Sequence, residues 1–306
     1  MIYTAGEMLA EFVSHEVGCN LQKTTTFSGP YPSGAPAIFI DQVARVGGNA
    51  AVIGSIGDDP FGEMLRNRLM RDGVDTTHLQ TSENLTTGAA FVSYFEDGSR
   101  TFVFHMDGTA ADDFGPRPIL PHGSTLHVSG ASLGNPRIRA VVEGLIAEIE
   151  DHGTVSYDPN IRPELMKDPS VRRAIDQIIG RCDIFLPSDT DIAALYPDKT
   201  AEAVIDDLLQ TGKKIVVVKQ GAKGVLGSDG SDLIRLQPHA VEEVDPTGAG
   251  DCFCGTLIGL LDQGQTFREA LEAANLAGAL HVTKRGPMEW NPTFSEIQQH
   301  LEALTL

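Results

Sequence analysis

Apolar and polar residues follow two different periods along the chain, and the two periods alternate. Short runs rich in β-branched residues, such as 51–57 and 214–221, have the composition of strands buried on both faces. Segment 60–73 instead repeats its apolar residues at helical spacing and ends at Gly73, a common helix terminator. The predicted strands are 51–57, 125–130, 154–160, 183–188 and 214–221, and the predicted helices are 60–73, 136–151, 170–179, a segment after 251, 267–284 and 293–303. This alternation predicts an α/β fold with a central, mostly parallel sheet flanked by helices on both faces.

Two regions, 8–32 and 86–106, do not follow the strand–helix alternation. The second contains two β-rich runs around a turn at 96–99, Glu-Asp-Gly-Ser, which predicts a hairpin. A hairpin has no crossover helix, and it therefore does not fit inside a parallel sheet. We predict that both regions form a small β lid, inserted in a single domain that spans residues 1–306.

The charge balance limits the partners that the chain is expected to bind. A formal net charge of -19 and a pI of about 4.7 argue against nucleic acid and anionic membranes, which are bound through clusters of Lys and Arg. Backbone amides can still bind a small anion in an acidic protein. The sequence has no run of about 18 apolar residues and no apolar leader, so neither a membrane span nor secretion is expected. The scattered cysteines predict no disulfide or zinc framework and favour a cytoplasmic location.

The strongest candidate for chemistry is the GAGD segment (248–251), directly before an apolar helix. Glycines at Gly248 and Gly250 let backbone N–H groups face a ligand, and a helix N-terminus carries partial positive charge, which together suit a phosphoryl group. Asp251 is placed to take a proton from an attacking hydroxyl. In the alternative interpretation, Asp251 is an ordinary helix N-cap and the glycines form a tight turn.

Residues 245–253, Asp-Pro-Thr-Gly-Ala-Gly-Asp-Cys-Phe, resemble the carboxy-terminal signature of the ribokinase/PfkB carbohydrate kinases, D-T-x-G-A-G-D-x-F. Further segments resemble that family in the same order along the chain. They are 6–12, similar to its first strand; 33–62, similar to its amino-terminal signature; 157–166, similar to the D-x-N-x-R segment of its fructokinase and 2-keto-3-deoxygluconate kinase branch; and 216–224, similar to its nucleotide-binding strand. The resemblance covers nearly the whole chain and implies a ribokinase-like fold.

The resemblance also implies a reaction, in which the γ-phosphoryl group of ATP, accompanied by Mg²⁺, passes to a hydroxyl of a small sugar. By this resemblance Asp251 is the catalytic base, and the backbone N–H groups of Gly248, Ala249 and Gly250 form the anion hole. The sequence contains no G-x-x-x-x-G-K-[ST], so a P-loop enzyme is not expected.

Other positions match the two substrate sites of the family, although each also has an ordinary structural interpretation, such as a solvated lysine or an arginine in a surface ion pair. The expected nucleotide ligands are Lys219, Gly221, Gly224, Ser188, Asp191, Thr247 and Asn275. The expected sugar contacts are Glu11, Gly34, Ala35, Arg100, Asn160 and Arg162, with Glu11 in place of the usual Asp. Asp191 is expected to hold Mg²⁺ through water, and Asp245 and Thr247 match positions that hold a monovalent cation such as K⁺ in some members.

Departures from the family pattern concern mainly the choice of substrate. Ser33 replaces the first Gly of the amino-terminal signature, Ile38 replaces its sugar-binding Asn, and Ser188 replaces the Asn of an N-x-x-E motif. Phe104-His105 stands where the keto-deoxy acid kinases often have an Arg cluster, so the obvious partner for a substrate carboxylate is missing. We therefore favour a neutral ketohexose, fructose or tagatose, over 2-keto-3-deoxygluconate.

Two alternative functions are also considered, and a homodimer is predicted. A nucleoside kinase of the same fold would use the aromatic residues of the lid, and a non-catalytic sugar or nucleotide sensor is suggested by the altered motif residues. The intact Asp251 argues against the sensor. Exposed lid strands need cover, which predicts a homodimer formed through the lid.

Overall fold

The computed structural model describes residues 1–96, 99–162 and 165–304, so the tip of the predicted hairpin, at 97–98, lies outside the described residues. The strands are Ile2–Ala5 (β1), Leu9–Ser14 (β2), Phe27–Ser33 (β3), Ala50–Gly57 (β4), Asp75–Ser82 (β5), Gly88–Tyr94 (β6), Arg100–His105 (β7), Thr125–Ser129 (β8), Thr154–Asp158 (β9), Ile184–Phe185 (β10), Ile215–Lys219 (β11), Val225–Ser228 (β12) and Ile234–Leu236 (β13). The helices are Ala35–Arg45 (α1), Pro60–Arg71 (α2), Pro136–Ile149 (α3), Pro169–Arg181 (α4), Asp189–Leu195 (α5), Ala201–Gln210 (α6), Ala249–Asp262 (α7), Phe267–His281 (α8) and Phe294–Leu304 (α9).

The large sheet has nine strands in the order β13-β12-β11-β10-β9-β8-β1-β4-β5. All neighbouring pairs from β5 to β11 are parallel, and β12 and β13 join as antiparallel strands at one edge. Helices between parallel strands are the usual crossover connection. The predicted mostly parallel central sheet is therefore confirmed, with an antiparallel edge that periodicity did not predict.

Two apolar cores lie on the two faces of this sheet. On one face α1, α7 and α8 pack together, with Phe39 and Leu257 fully buried between them and the strands. On the other face α3, α4 and α6 cover the sheet, with Leu126 and Ile146 fully buried. Because helices cover both faces, the ends of the strands are where a ligand can approach.

A separate small sheet has the strand order β3-β2-β6-β7 and is built from the two regions that broke the sequence alternation. Strands β6 and β7 form the predicted hairpin, with Tyr94 opposite Arg100, and β2 runs parallel to β6. Segment 6–12, which resembles the first strand of the family, includes the start of β2 in the small sheet. The strand β1 of the central sheet lies before it and was not predicted. A four-residue strand such as β1 is too short to show a period. Closure of the small sheet as a lid, and its place within one domain, stay predictions.

No helix in the described ranges is long and apolar enough to cross a membrane. All the cysteines are free thiols buried within the fold: Cys19, Cys182, Cys252 and Cys254.

Candidate active site

Neighbouring strands of the central sheet end at one edge, and polar side chains follow them there. Glu7 follows β1, Ser132 follows β8, Arg162 follows β9, and Ser188 follows β10. Helix α7, which carries Asp251 in its first turn, begins near the same strand ends. The charges of Glu7 and Arg162 both act on the Asp251 carboxyl there. The candidate residues of distant segments are thus brought together where parallel α/β sheets bind ligands.

Asp251 is not the N-cap of α7. The cap is Gly248, which has a left-handed φ of 88° and no capping side chain, and Asp251 is the third residue of the helix. The Asp251 side chain is buried, and its Oδ1 has no hydrogen-bond partner within the described residues. The interpretation of Asp251 as an ordinary cap is therefore wrong, and an unpartnered buried carboxylate oxygen remains to be explained.

The backbone amides at the start of α7 are open to a ligand. The N–H groups of Gly250 and Asp251 have no acceptor in the part of the chain that the structure describes, and the Ala249 N–H makes only a long 3.4 Å contact with Pro246 O. The first hydrogen bond typical of the helix runs from Cys252 N to Gly248 O at 2.8 Å. Open amides at a helix N-terminus form an anion site. The Asp251 amide belongs to this set, although sequence reasoning had named only residues 248–250.

Burial and neighbouring charges tune the Asp251 carboxyl. Burial, and secondly the charge of Asp158, raise the pKa of Asp251 to about 7, while Lys219 and Arg162 act in the opposite direction. A carboxyl with this pKa takes up a proton readily near neutral pH and releases it again. The geometry and the electrostatics together suit a general base.

Lys219 points beneath the GAGD segment rather than into solvent. Its ammonium forms a short ion pair with Asp158 and lies 3.5 Å from Cys254 Sγ in α7. Burial opposes the charge of Lys219, yet Asp158 raises its pKa above the ordinary value. Lys219, whose side chain is 13% exposed, pairs with Asp158 next to the GAGD segment, and direct nucleotide contact by Lys219 stays a prediction.

The remaining nucleotide candidates at this end lie around β11–β13. Gly221 and Gly224 have φ values of 53° and 89° in the turn between β11 and β12. A Cβ on Gly224 would lie 2.0 Å from Leu236 O, so this turn requires glycine. Asn275 on α8 donates to Gln237 O at 2.8 Å, which ties that helix to the chain after β13. The hydrogen bond of Asn275 brings α8 next to the chain that follows β13, and nucleotide binding by these positions stays a prediction.

Ser188 and Asp191 form a capping box at the start of α5. Ser188 N and Oγ both donate to Asp191 Oδ2 at 2.7 Å, and Asp191 N bonds back to Ser188 Oγ at 3.1 Å. Asp191 Oδ1 also accepts from Ile161 N at 2.8 Å, which fixes the segment after β9. The replacement of Asn by Ser thus preserves a structural role. Mg²⁺ binding through water at Asp191 stays a prediction, because three donors already use this carboxylate.

At the opposite end, Glu11 and Ser33 form a buried pair within the small sheet. Ser33 Oγ donates to Glu11 Oε2 at 2.7 Å, and Glu11 Oε1 has no partner among the described residues. Glu11 is 2% exposed, and burial raises its pKa to about 7 even though Ser33 lowers it. Two departures from the family pattern are therefore linked: the longer carboxylate is held by the hydroxyl that replaces a glycine.

Gly34 and Ala35 lie beside this pair, where β3 leads into α1. Gly34 has a φ of 106°, and a Cβ there would lie 2.4 Å from Glu7 O, so glycine is required. Ile38, in the same helix, is buried, and its Cδ1 would lie 3.0 Å from a Cβ built on Gly248. The apolar side chain of Ile38 thus packs against the GAGD segment, at the position where the family pattern has the amide of an Asn.

Arg100 of β7 and Arg162, in the segment after β9, meet at the ring of Phe102 in β7. The guanidinium carbons of Arg100 and Arg162 lie 5.3 and 5.6 Å from the ring centroid. Arg100 also approaches Thr247 Oγ1 at 3.5 Å, so its side chain faces the site rather than solvent alone. Asn160 has a φ of 37°, and its N–H donates to Asp158 Oδ1 at 3.1 Å, which shapes the turn that leads to Arg162.

The structure adds Glu7, Tyr94 and His281, which sequence reasoning did not assign. Glu7 is buried with an unpartnered Oε2, and burial raises its pKa although Arg162 acts against this. Tyr94 lies in the predicted lid, and His281 is a buried polar residue at the end of α8. The apolar run 276–280 directly before it was the available signal that His281 is buried.

Asp245 and Thr247, the predicted ligands of a monovalent cation, already have protein donors. Asp245 Oδ1 accepts from Thr247 N at 3.0 Å and from the Tyr94 hydroxyl, and its Oδ2 accepts from Gly286 N at 2.9 Å. Thr247 O lies 2.8 Å from His281 Nε2 and can only accept from it, while His281 Nδ1 lies 2.9 Å from Asn291 Oδ1, a second acceptor. These oxygens already accept hydrogen bonds from N–H and O–H groups, and K⁺ binding at Asp245 and Thr247 stays a prediction.

The chain was compared with known proteins. The model of the pfkB family of carbohydrate kinases matches residues 3–293. The probable fructokinase-5 of Arabidopsis thaliana is 31% identical over 319 residues, covering 99% of this chain and 98% of that protein. A solved structure of a putative ribokinase II from E. coli, in complex with ATP and Mg²⁺, is 36% identical with a TM-score of 0.92 over 99% of both chains. The fructokinase of Vibrio cholerae O395, bound to fructose, ADP and calcium ion, is 27% identical with a TM-score of 0.83 over 97% of both chains.

Proposed function

Because the chain belongs to the PfkB family of carbohydrate kinases, we propose that it transfers the γ-phosphoryl group of ATP to a hydroxyl of fructose. Membership makes the protein an ATP-dependent sugar kinase, and the likeness to solved kinase structures confirms the ribokinase-like fold. Fructose as the sugar is the proposal. It is supported by the fructokinases among the relatives at about 31% identity.

The observation that carries the mechanism is the unpartnered, buried Oδ1 of Asp251 beside open helix amides. In the proposed reaction Asp251 Oδ1 accepts the proton of the sugar hydroxyl as that oxygen attacks the γ-phosphorus. The N–H groups of Gly248, Ala249 and Gly250 hold the charge on the transferring phosphoryl oxygens. Arg162 adds positive charge from the sheet side. Position and electrostatics supply most of the rate in this kind of transfer.

ATP enters this reaction as its Mg²⁺ complex, which is a co-substrate, and Mg²⁺ neutralises phosphate charge. We assign the phosphates to the amides of the GAGD segment and the adenosine to the surface formed by Gly221, Gly224 and Asn275. Lys219 supports the GAGD segment through its ion pair with Asp158. The small sheet covers the sugar and excludes water, which limits hydrolysis of ATP.

The sugar end favours a neutral ligand. Glu7 and Glu11 are buried carboxylates with unpartnered oxygens, and both accept hydrogen bonds from hydroxyl groups. A substrate carboxylate would be repelled by them when they are ionised. Gly34 lets α1 begin directly against the Glu7 carbonyl, and Ile38 offers the sugar an apolar contact.

The pair of arginines at Phe102 favours one second candidate, 2-keto-3-deoxygluconate kinase, because Arg100 and Arg162 are cations that a sugar acid would use. Sugar-dependent ADP release with fructose, tagatose and 2-keto-3-deoxygluconate separates the candidates. We expect turnover with fructose and none with the sugar acid. Turnover with the sugar acid alone would reverse the assignment, and ATP binding without turnover on any sugar would point to a sensor.

A homodimer through the small sheet is a further part of this proposal. Phe27, Phe91 and Val103 lie on the face of the sheet turned away from the site, with Phe27 40% and Val103 50% exposed. An exposed apolar face on a small sheet is suited to a second copy. Sedimentation equilibrium should give a dimer for the wild type and a monomer for Val103→Asp. A monomeric wild type at micromolar concentration would contradict this assembly.

A further inference from the structure

A buried chain of side chains runs from the Thr247 carbonyl back into the core. His281 Nε2 contacts Thr247 O at 2.8 Å, and His281 Nδ1 lies 2.9 Å from Asn291 Oδ1, so both ring nitrogens face oxygen acceptors. Asn291 Nδ2 donates to Asp41 Oδ2 at 2.7 Å, and Arg68 pairs with the same carboxylate oxygen at 3.2 Å. His281 and Asn291 are each 1% exposed. Asn291 therefore fixes the imidazole on its Nδ1 side, and Nε2 is directed at Thr247 O.

The loop before α7, residues 245–248, is also fixed by Tyr94 of the small sheet. The Tyr94 hydroxyl contacts both Asp245 Oδ1 and Thr247 Oγ1. Gly286 N donates to the second oxygen of Asp245. Donor hydrogens therefore face the carboxylate and the carbonyl from several sides. Their partial positive charge acts on these oxygens as a bound cation would.

His281 also contacts the residue on which the GAGD segment depends. A Cβ built on Gly248 would lie 2.9 Å from His281 Nε2, so the imidazole lies directly against the left-handed cap of α7. Fixing Thr247 O and Gly248 together sets the direction of the amides that follow in the first turn. His281 does not reach the reacting atoms and acts through the loop.

We propose that His281, together with Tyr94, takes the place of a monovalent cation at the loop before α7, so that the kinase activity of this chain does not require K⁺. His281 is a positioning residue in this account. The inference rests on the proposed function in one respect, namely that the GAGD segment holds the transferring phosphoryl group.

The first test compares salts on the wild-type protein. ADP release is measured with fructose and MgATP in KCl, NaCl or tetramethylammonium chloride at equal ionic strength. We expect kcat to differ by less than about twofold among the salts, because ion-specific stabilisation needs an ion-specific site. Thermal unfolding in the same salts should give the same Tm. An increase in kcat of about tenfold with K⁺, or a K⁺-specific rise in Tm, would overturn the proposal.

The second test removes the imidazole. In tetramethylammonium chloride, His281→Ala should lose about tenfold or more in kcat, the scale seen when a supporting residue of a site is removed. His281→Gln keeps an N–H donor and should retain most of kcat. His127→Ala is the matched control, because His127 is equally buried but stacks on Phe39 instead of the loop. It should lower Tm without changing kcat.

The outcomes separate this inference from the choice of substrate. Absence of turnover with fructose would count against fructose, and the salt series would then use whichever sugar is accepted. The Tm comparison in K⁺ and tetramethylammonium needs no turnover at all. Unchanged kcat in folded His281→Ala, or a loss in His281→Gln as large as that in His281→Ala, would refute the role of the Nε2 donor.

Discussion

The GAGD segment is shaped by its own backbone, whereas the pocket around Glu11 is shaped by side chains that reach across strands. At the first, a left-handed glycine, open amides and the start of α7 follow directly from consecutive residues. At the second, Glu11 of β2 depends on Ser33 of β3, which are 22 positions apart in sequence. Consecutive residues thus determine the geometry of the proposed phosphoryl site. Two replacements on different strands, Glu11 and Ser33, together shape the proposed sugar site.

This difference explains why the GAGD segment keeps the family pattern while the residues around Glu11 depart from it. The transferring phosphoryl group is the same for every sugar, so the amides that hold it have little freedom to change. The sugar differs among substrates, and a side-chain pair such as Glu11–Ser33 can change without moving the backbone. Each prediction below tests whether the two ends are separable.

Asp251→Asn should produce the largest effect. Removing the base should lower kcat by about 10³-fold, within the usual range for a general base, while leaving ATP affinity nearly unchanged. Steady-state kinetics and nucleotide titration measure the two quantities. Asp262→Asn is the matched control, because it changes the same residue type at the exposed end of α7. Near-normal kcat in Asp251→Asn would show that another group takes the proton.

Gly248→Ala should have the next largest effect. A Cβ there would meet His281 Nε2 and Pro287 O at 2.9 Å in a backbone with φ of 88°. We expect the first-turn amides to shift and kcat to fall by about 10²-fold, as when one donor of an anion hole is lost. The control is Gly230→Ala, which has a φ of 89° but no neighbour within 4 Å of the added Cβ. Equal losses of kcat in both variants would assign the effect to backbone strain alone.

The sequence predicted those features that consecutive residues determine. The buried strands, the hairpin and the GAGD segment follow from period, composition and glycine positions, and the structure has them. The sequence could not show that Ser33 faces Glu11, or that His281 faces Thr247, because these contacts depend on how separate elements pack. The strand β1 was not predicted, since four residues carry no periodic signal.

The pH dependence should follow Asp251, whose pKa burial raises to about 7. The base must be ionised, so kcat/KM should fall about tenfold for each pH unit below 7.

The stability of the folded protein should change with pH in the opposite sense. A raised pKa in the folded state means that protonated Asp251 favours folding below about pH 4, and this contribution is lost as the pH rises through 7. Tm of the wild type relative to Asp251→Asn should therefore decrease from about pH 5 to pH 8. Parallel Tm curves would contradict a raised pKa.

Ser33→Ala should produce the smallest effect and gives the sharpest test of separability. It removes the 2.7 Å hydrogen bond to Glu11 Oε2 and leaves that oxygen without a partner in its buried site. We expect KM for fructose to rise about fivefold, a loss near 1 kcal/mol, because Glu11 is no longer fixed toward the sugar. KM for ATP and kcat should stay unchanged, since Ser33 does not contact α7. Ser28→Ala, on the same strand with its hydroxyl directed to Val13 O, should change neither constant. A fall in kcat with unchanged KM for fructose would mean that Glu11 and Ser33 act on the transferring group, and that the two ends of the site form one unit.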